Sequence, residues 1–289
     1  MKKRHVLNSP SLLELKKHRR RVVFVKITLC TIAFTVLFAT LAYISRLGKL
    51  NISNIEIVGN KVVTSEDIKP IVEEAISGNY LWVFPKTNIL LYSKKEITKN
   101  IFKQFKRIKG VSFAVKEDKT LLLSIVERTA LYTWCGDVPL ELNSKDKPVC
   151  YFMDESGYIF NEAPYFSGEV YFKFYGSIVS NNGIPSGLYF SSKNFLKLAV
   201  FKRTLELMGM KPVSMYLEDS GDVRVTLSSK TSSTGPEIIF KLDSNFKTVA
   251  ENLDAALSTE PLLSQFKDKY SSLLYIDLRF GNKVYYKFK

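Results

Sequence analysis

ITLCTIAFTVLFATLAYI, residues 27–44, carries no charged side chain, and its threonines are scattered. An α-helix rises about 1.5 Å per residue, so the run covers roughly 27 Å. That nearly matches a hydrocarbon core of about 30 Å. Residues 22–25 lengthen it, because Lys26 can carry its ammonium back to the headgroups on a flexible stem. A soluble core helix of this length would show a polar face, and this one has none, so residues 22–47 are expected to form a single transmembrane helix.

The flanks orient the span. Residues 1–21 hold Lys2, Lys3, Arg4, Lys16, Lys17, Arg19, Arg20 and Arg21 against Glu14, a net +7 of the chain's +14. Half of the excess charge therefore lies beside the membrane, where basic residues set topology and meet anionic lipid. Only Arg46 and Lys49 follow closely on the other side, which places the N-terminus in the cytoplasm and residues from about 48 onward outside. A cleaved signal peptide would have a shorter apolar region and a small-x-small site; Ala39 and Ala42 are spaced one residue too far apart. The reading is an uncleaved anchor behind a disordered basic tail, 1–21.

With 289 residues and 46% hydrophobic content, one or two packed domains can follow the anchor. Nucleic acid is excluded as a partner by compartment if this topology holds. Cys30 lies in the span. Cys135 and Cys150 fall in the external part, where a disulfide persists. Two residues alone do not separate a bridge from two thiols.

Residues 52–58 alternate as a strand and Gly59-Asn60 turns the chain. Thr64 with Asp67 caps a helix whose stripe is Ile68, Ile71, Val72, Ala75 and Ile76, stopped by Gly78. Pro70 is expected to kink it or delay its start. Ser93 with Glu96 caps a second helix, in which Ile97, Ile101, Phe105 and Ile108 keep helical spacing up to Gly110. Its lysines are expected to form a solvated face. Strands at 111–115 and 121–126 complete a β-α-α-β-β unit over residues 50–128.

Residues 129–289 are expected to form a larger mixed α/β domain with a mainly antiparallel sheet, making the chain α+β overall. Tyr and Phe density favours strands from 130 to 189, with a hairpin turn at Asp154-Glu155-Ser156-Gly157 and loops at Asn181-Asn182-Gly183 and Pro185-Ser186-Gly187. A helix at 193–208 is striped by Phe195, Leu196, Ala199, Val200, Leu205 and Leu207. Strands follow at 214–217, 223–227 and 238–242, with a polar loop at 228–236. A helix at 246–257 is capped by Asp243 or Ser244. A terminal hairpin pairs 273–280 with 283–288 through Gly281-Asn282.

Catalysis has thin material. Both histidines, His5 and His18, lie in the tail, which excludes a His-based triad or zinc site outside the membrane. Glu141, Asp154, Glu155 and Glu162 fall in one region, and paired carboxylates hydrolyse glycans. A membrane-anchored cell-wall hydrolase using Glu141 or Glu162 is the alternative reading. Asp154 and Glu155 fit a turn better. No metal, cofactor, nucleotide or small-molecule substrate is expected.

What remains is binding through surfaces. KVYYKFK, 283–289, is an edge-strand candidate, with Lys283, Tyr285 and Lys287 on one face and Val284, Tyr286 and Phe288 on the other. Unpaired main-chain groups there can template another chain's strand; lysines can equally blunt an idle edge.

The order of parts resembles the bacterial division proteins FtsQ and DivIB. IEIVGNKVVTSEDI at 55–68 looks like the opening of a POTRA domain, and VSFAVKEDKTLLLSIVERTALYTW at 111–134 like its end, although Thr129-Ala130 stands where proline usually follows Glu127-Arg128. The run from Phe152 to Phe160 is similar to the family's D-x-x-G-x-hydrophobic-F motif, and Ile276 to Phe280 to its D-hydrophobic-R-aromatic strand. The resemblance implies a non-enzymatic, single-pass type II protein of the inner (cytoplasmic) membrane at the division septum, with an extracytoplasmic C-terminal domain. It implies FtsB/DivIC-like and FtsL-like single-span partners and regulation of septal peptidoglycan synthesis. It also favours the docking reading of the last strands: main-chain pairing for affinity, and Arg279, Phe280, Tyr285 and Tyr286 for selectivity, with Lys283, Val284 and Phe288 at the same edge.

Overall fold

A computed structural model describes residues 10–139, 148–166, 168–178, 183–229 and 235–289. Glu141, Asn181-Asn182 and the middle of the 228–236 loop lie outside the described residues. The chain is mixed α and β, and its backbone divides into two compact units.

The first unit begins with helix α1, Pro10–Ser45. The basic residues from Lys16 to Arg21 belong to this helix and do not form a separate irregular tail. No glycine or proline interrupts the sequence between Ser11 and Ser45, so nothing stops the helix there. Its apolar side chains point away from protein: Phe24, Leu29 and Phe34 are all largely exposed. The threonine hydroxyls of Thr28, Thr31, Thr35 and Thr40 donate back to carbonyls of Phe24, Thr28, Ile32 and Val36, which removes their need for water. The helix is long and apolar enough to cross a membrane by length and composition, a property shared by membrane anchors and signal sequences. Its C-terminal carbonyls are capped by side chains. Asn88 Nδ2 donates to the Ser45 carbonyl at 2.9 Å, and Asn51 Nδ2 donates to those of Ser45 and Leu47 at 3.1 and 2.9 Å.

Strand β1 (Asn54–Val58) then leads to helix α2 (Ser65–Ile76), a small β2–β3 hairpin (Asn79–Tyr80, Phe84–Pro85), helix α3 (Lys94–Gln104), and strands β4 (Ile108–Val115) and β5 (Thr120–Glu127). β5 is central, parallel to β1 and flanked on its other side by β4. Thr64 Oγ1 accepts the Asp67 N–H, and Ile68, Val72, Ala75 and Ile76 are buried. Pro70 lies inside α2 without ending or delaying it. α3 stops at Gln104, not at Gly110, and Ile108 opens β4. Ile97 and Ile101 are the buried stripe, and the helical spacing of Phe105 and Ile108 is coincidental. Gly59 sits at φ +84°, and a Cβ there would lie 2.4 Å from the Ile125 carbonyl oxygen, so the turn after β1 requires glycine.

The second unit comprises Lys103–Lys109 and Glu127–Lys289. Among the described residues its sheet has nine strands: β6 (Tyr132–Trp134), β7 (Cys150–Met153), β8 (Ile159–Ala163), β9 (Phe172–Tyr175), β10 (Pro212–Leu217), β11 (Asp222–Leu227), β12 (Glu237–Lys241), β13 (Leu273–Phe280) and β14 (Lys283–Phe288). Their spatial order is β14-β13-β12-β11-β10-β9-β6-β7-β8. Five of the eight pairings are antiparallel; β9–β10, β12–β13 and β6–β9 are parallel. Helices α4 (Phe195–Leu207), α5 (Phe246–Leu257) and α6 (Leu262–Asp268) supply the other half of the core. Phe174, Met215, Val225, Phe240, Ile276 and Leu278 from the strands meet Phe195, Leu198, Phe201, Leu205, Val249 and Leu253 from the helices.

Two local expectations need correction, and one helix adds to them. α4 buries Phe195, Leu198, Phe201 and Leu205, leaving Leu196, Val200 and Leu207 exposed, because its sequence is apolar on two sides and the sheet takes one of them. The cap of α5 is Asn245, whose Oδ1 accepts the Lys247 N–H at 3.0 Å, not Asp243 or Ser244. α6 was not expected, as its seven residues are too few to show a clear period.

Cys135 and Cys150 form a disulfide that ties the end of β6 to the start of β7. Closing a loop of about fifteen residues constrains the unfolded chain by about 3 kcal/mol. The Cys135→Ser/Cys150→Ser variant should lose about that much unfolding free energy in urea; an unchanged midpoint at unchanged slope would show that the bridge contributes nothing.

Candidate functional site

β14 is the terminal strand of the sheet, with no described strand beyond it. Its hairpin with β13 has register shifts between Leu273 and Tyr275 and between Asp277 and Phe280, and both extra residues belong to β13. β14 itself is therefore regular. The Lys289 N–H donates to the Ser272 carbonyl at 2.8 Å. Main-chain groups alternate sides along a strand, so those of Lys283, Tyr285 and Lys287 face β13, opposite Phe280, Asp277 and Tyr275. Those of Val284, Tyr286 and Phe288 face outward from the sheet, where an added strand would pair.

The side chains alternate the other way. Val284, Tyr286 and Phe288 pack against the core, while Lys283, Tyr285 and Lys287 are exposed. Phe280 is 55% exposed and Tyr285 50% exposed, and their rings meet edge to face at 5.2 Å. Val284, Tyr286 and Phe288 can thus offer a partner backbone groups, and Phe280, Tyr285, Lys283 and Lys287 can offer side chains. Tyr286, placed by the sequence reading among the selectivity residues, turns its ring inward.

Arg279 is committed within the sheet. Its Nε and Nη2 donate to the two oxygens of Asp277 at 2.9 and 2.6 Å, and its Nη1 reaches Asp222 on β11 at 2.5 Å. Arg279 follows Asp277 by two residues within the register shift of β13, and there the two side chains meet as a fork. Burial pushes the Asp277 carboxyl up, but the Arg279 side chain, the Arg279 N–H and the Arg224 charge together hold it below the ordinary value. The two carboxylates in turn raise Arg279 further. Beside this group, Arg224 bridges Glu218 and Glu237. The result is a strip of ion pairs on the face opposite the helices. Asp222 was missed in the sequence, since nothing local signals a partner on another strand.

The other resembling motifs are structural devices. Asp154 is fully buried: Oδ1 accepts the N–H groups of Ser156 and Tyr158 and the Ser156 hydroxyl, and Oδ2 accepts Arg128 Nη1 at 2.5 Å. The Arg128 guanidinium lies 3.7 Å from the Tyr158 ring centroid, and its Nε donates to the Lys106 carbonyl. Gly157, at φ +80°, faces the Phe195 ring so closely that a Cβ would fall 2.6 Å from it. Glu155 pairs with Lys109 at 2.5 Å.

Asp154 and Glu155 are therefore occupied in ion pairs. Glu162, the described half of the hydrolase alternative, stands exposed on β8 opposite Tyr151, at the other edge of the sheet. Among the described residues, no group of three His, Cys, Asp or Glu side chains is placed to hold a metal ion. Comparison with protein-family models found no match, and comparison with curated proteins found none.

Proposed function

We propose that the chain is a non-enzymatic, membrane-anchored scaffold that captures a strand of a partner protein along β14. The observation that carries this reading is the open, regular β14 edge, flanked by the exposed Phe280–Tyr285 pair and by two lysines. A bilayer-spanning α1 would hold that edge on the outer side of the membrane.

The partners proposed are FtsB/DivIC-like and FtsL-like single-span division proteins, and the role is regulation of septal peptidoglycan synthesis. The supports for this are the resemblance of the motifs to FtsQ and DivIB and the order of β1-α2-α3-β4-β5 around a three-stranded sheet, which fits a POTRA-like domain. A septal location follows from the same reading.

Lys283 and Lys287 point to an acidic partner strand. Lys283→Glu/Lys287→Glu should lower affinity about 5- to 30-fold at low salt, with the loss shrinking as salt rises. Both side chains are exposed, so folding is spared. Pull-down by the extracytoplasmic part of an FtsB/DivIC-like protein reads the result; equal capture of both forms would remove the charge component of the proposal.

A further inference from the structure

We infer that the tip of the β2–β3 hairpin is a second membrane contact, in which Leu81 and Trp82 enter the headgroup–acyl boundary beside α1. The inference rests on the reading of α1 as a membrane anchor. Trp82 is 92% exposed and Leu81 76% exposed, and both adopt left-handed backbone conformations at φ +60° and +47°. Bulky residues rarely adopt that conformation, and here it turns two large apolar side chains toward the outside.

The position of the tip relative to α1 selects lipid as the occupant. The Phe84 ring meets the Phe38 ring edge-on, with centroids 5.4 Å apart. Phe38 lies seven residues before the end of α1, about 10 Å along the helix axis. Arg46 Nε donates to the Val83 carbonyl at 3.1 Å, just past the helix end. The hairpin is thus fastened to the last two turns of the apolar helix and lies at the depth where the hydrocarbon meets the headgroups. Leu90, 80% exposed, is two residues from Asn88, which caps the same helix end. Tryptophan favours this boundary because its ring is apolar and its N–H wants a polar partner. Arg46, Lys49 and Lys86 supply positive charge at the same level for anionic headgroups. Two contacts, span and hairpin, would fix the tilt of the first unit on the bilayer.

The test uses the full chain in vesicles of phosphatidylcholine and phosphatidylglycerol whose acyl chains are brominated near the headgroup. The Trp82 signal is the difference between the chain and Trp82→Phe, which leaves Trp134 untouched. A nitroxide on Cys30, the one cysteine outside the disulfide, reports separately whether α1 is inserted. The expected result is that bromine removes about half or more of the Trp82 emission while aqueous iodide leaves it. If the Cys30 label lies in the hydrocarbon and Trp82 answers iodide instead, the inference falls and the anchor stands. If Trp82 answers neither quencher, a protein covers the tip and the lipid assignment is overturned. If the Cys30 label meets an aqueous relaxation agent, the anchor reading fails and takes the inference with it.

Discussion

Asp154→Ala is expected to destabilise the second unit by about 3–5 kcal/mol, because it leaves the largely buried Arg128 guanidinium without its carboxylate. It also frees the Ser156 and Tyr158 N–H groups that close the turn. For a unit of this size the thermal midpoint should fall by roughly 10 °C or more, followed on Trp134 in a Trp82→Phe background. The same group sets a pH dependence. Burial pushes the Asp154 carboxyl up, but bonds from Ser156, Arg128 and the Ser156 and Tyr158 N–H groups outweigh it and hold the folded-state value low. A depressed carboxylate stabilises the fold above its unfolded pKa of about 3.9 and loses that contribution as pH falls through the folded value. The gap between the parent chain and Asp154→Ala should therefore be full at neutral pH and narrow in acid below about pH 4. A gap that stays constant into acid would mean the pair does not act through its charge.

Val284→Pro should separate binding from folding. Proline lacks an N–H, and at residue 284 that N–H faces outward, where the fold does not use it. Val284 gives up part of its packing against the core, so stability should fall by about 1–2 kcal/mol, which leaves the hairpin folded. A captured strand would lose one main-chain bond and keep an unsatisfied carbonyl, at a cost of about 1–3 kcal/mol. That corresponds to a roughly 5- to 150-fold weaker complex. Tyr285→Pro is the matched control: it removes an N–H directed at β13 and should damage the hairpin itself. If Val284→Pro binds as well as the parent chain, β14 is not where the partner pairs.

The features that could be read from the sequence were those in which one face is buried and the other wet. The 283–288 strand alternates cleanly and pairs with 273–280 in the expected hairpin, and the α2 stripe and the Thr64–Asp67 cap are local patterns of the same kind. α4 was harder, since Leu196 and Val200 are as apolar as Leu198 and Phe201 and only the sheet decides which side is covered. The α3–β4 boundary was misplaced because Phe105 and Ile108 continue a helical period by accident, while β4 begins at Ile108 through pairing with distant residues. At the edge, the sequence separated the faces of β14 but left open what engages Arg279, because Asp222 reaches it from two strands away across β12. The Asp154–Arg128 pair was hidden for the same reason: both residues stood out as motif members, and their contact is made only by the fold.

Amide hydrogen exchange along residues 283–289, compared between the chain alone and the chain with the proposed FtsB/DivIC-like partner in membranes, tests the central claim most directly. Strand addition at β14 predicts new protection at the amides of Val284, Tyr286 and Phe288, with none gained along β8. Unchanged exchange at those three amides in a saturated complex would contradict it.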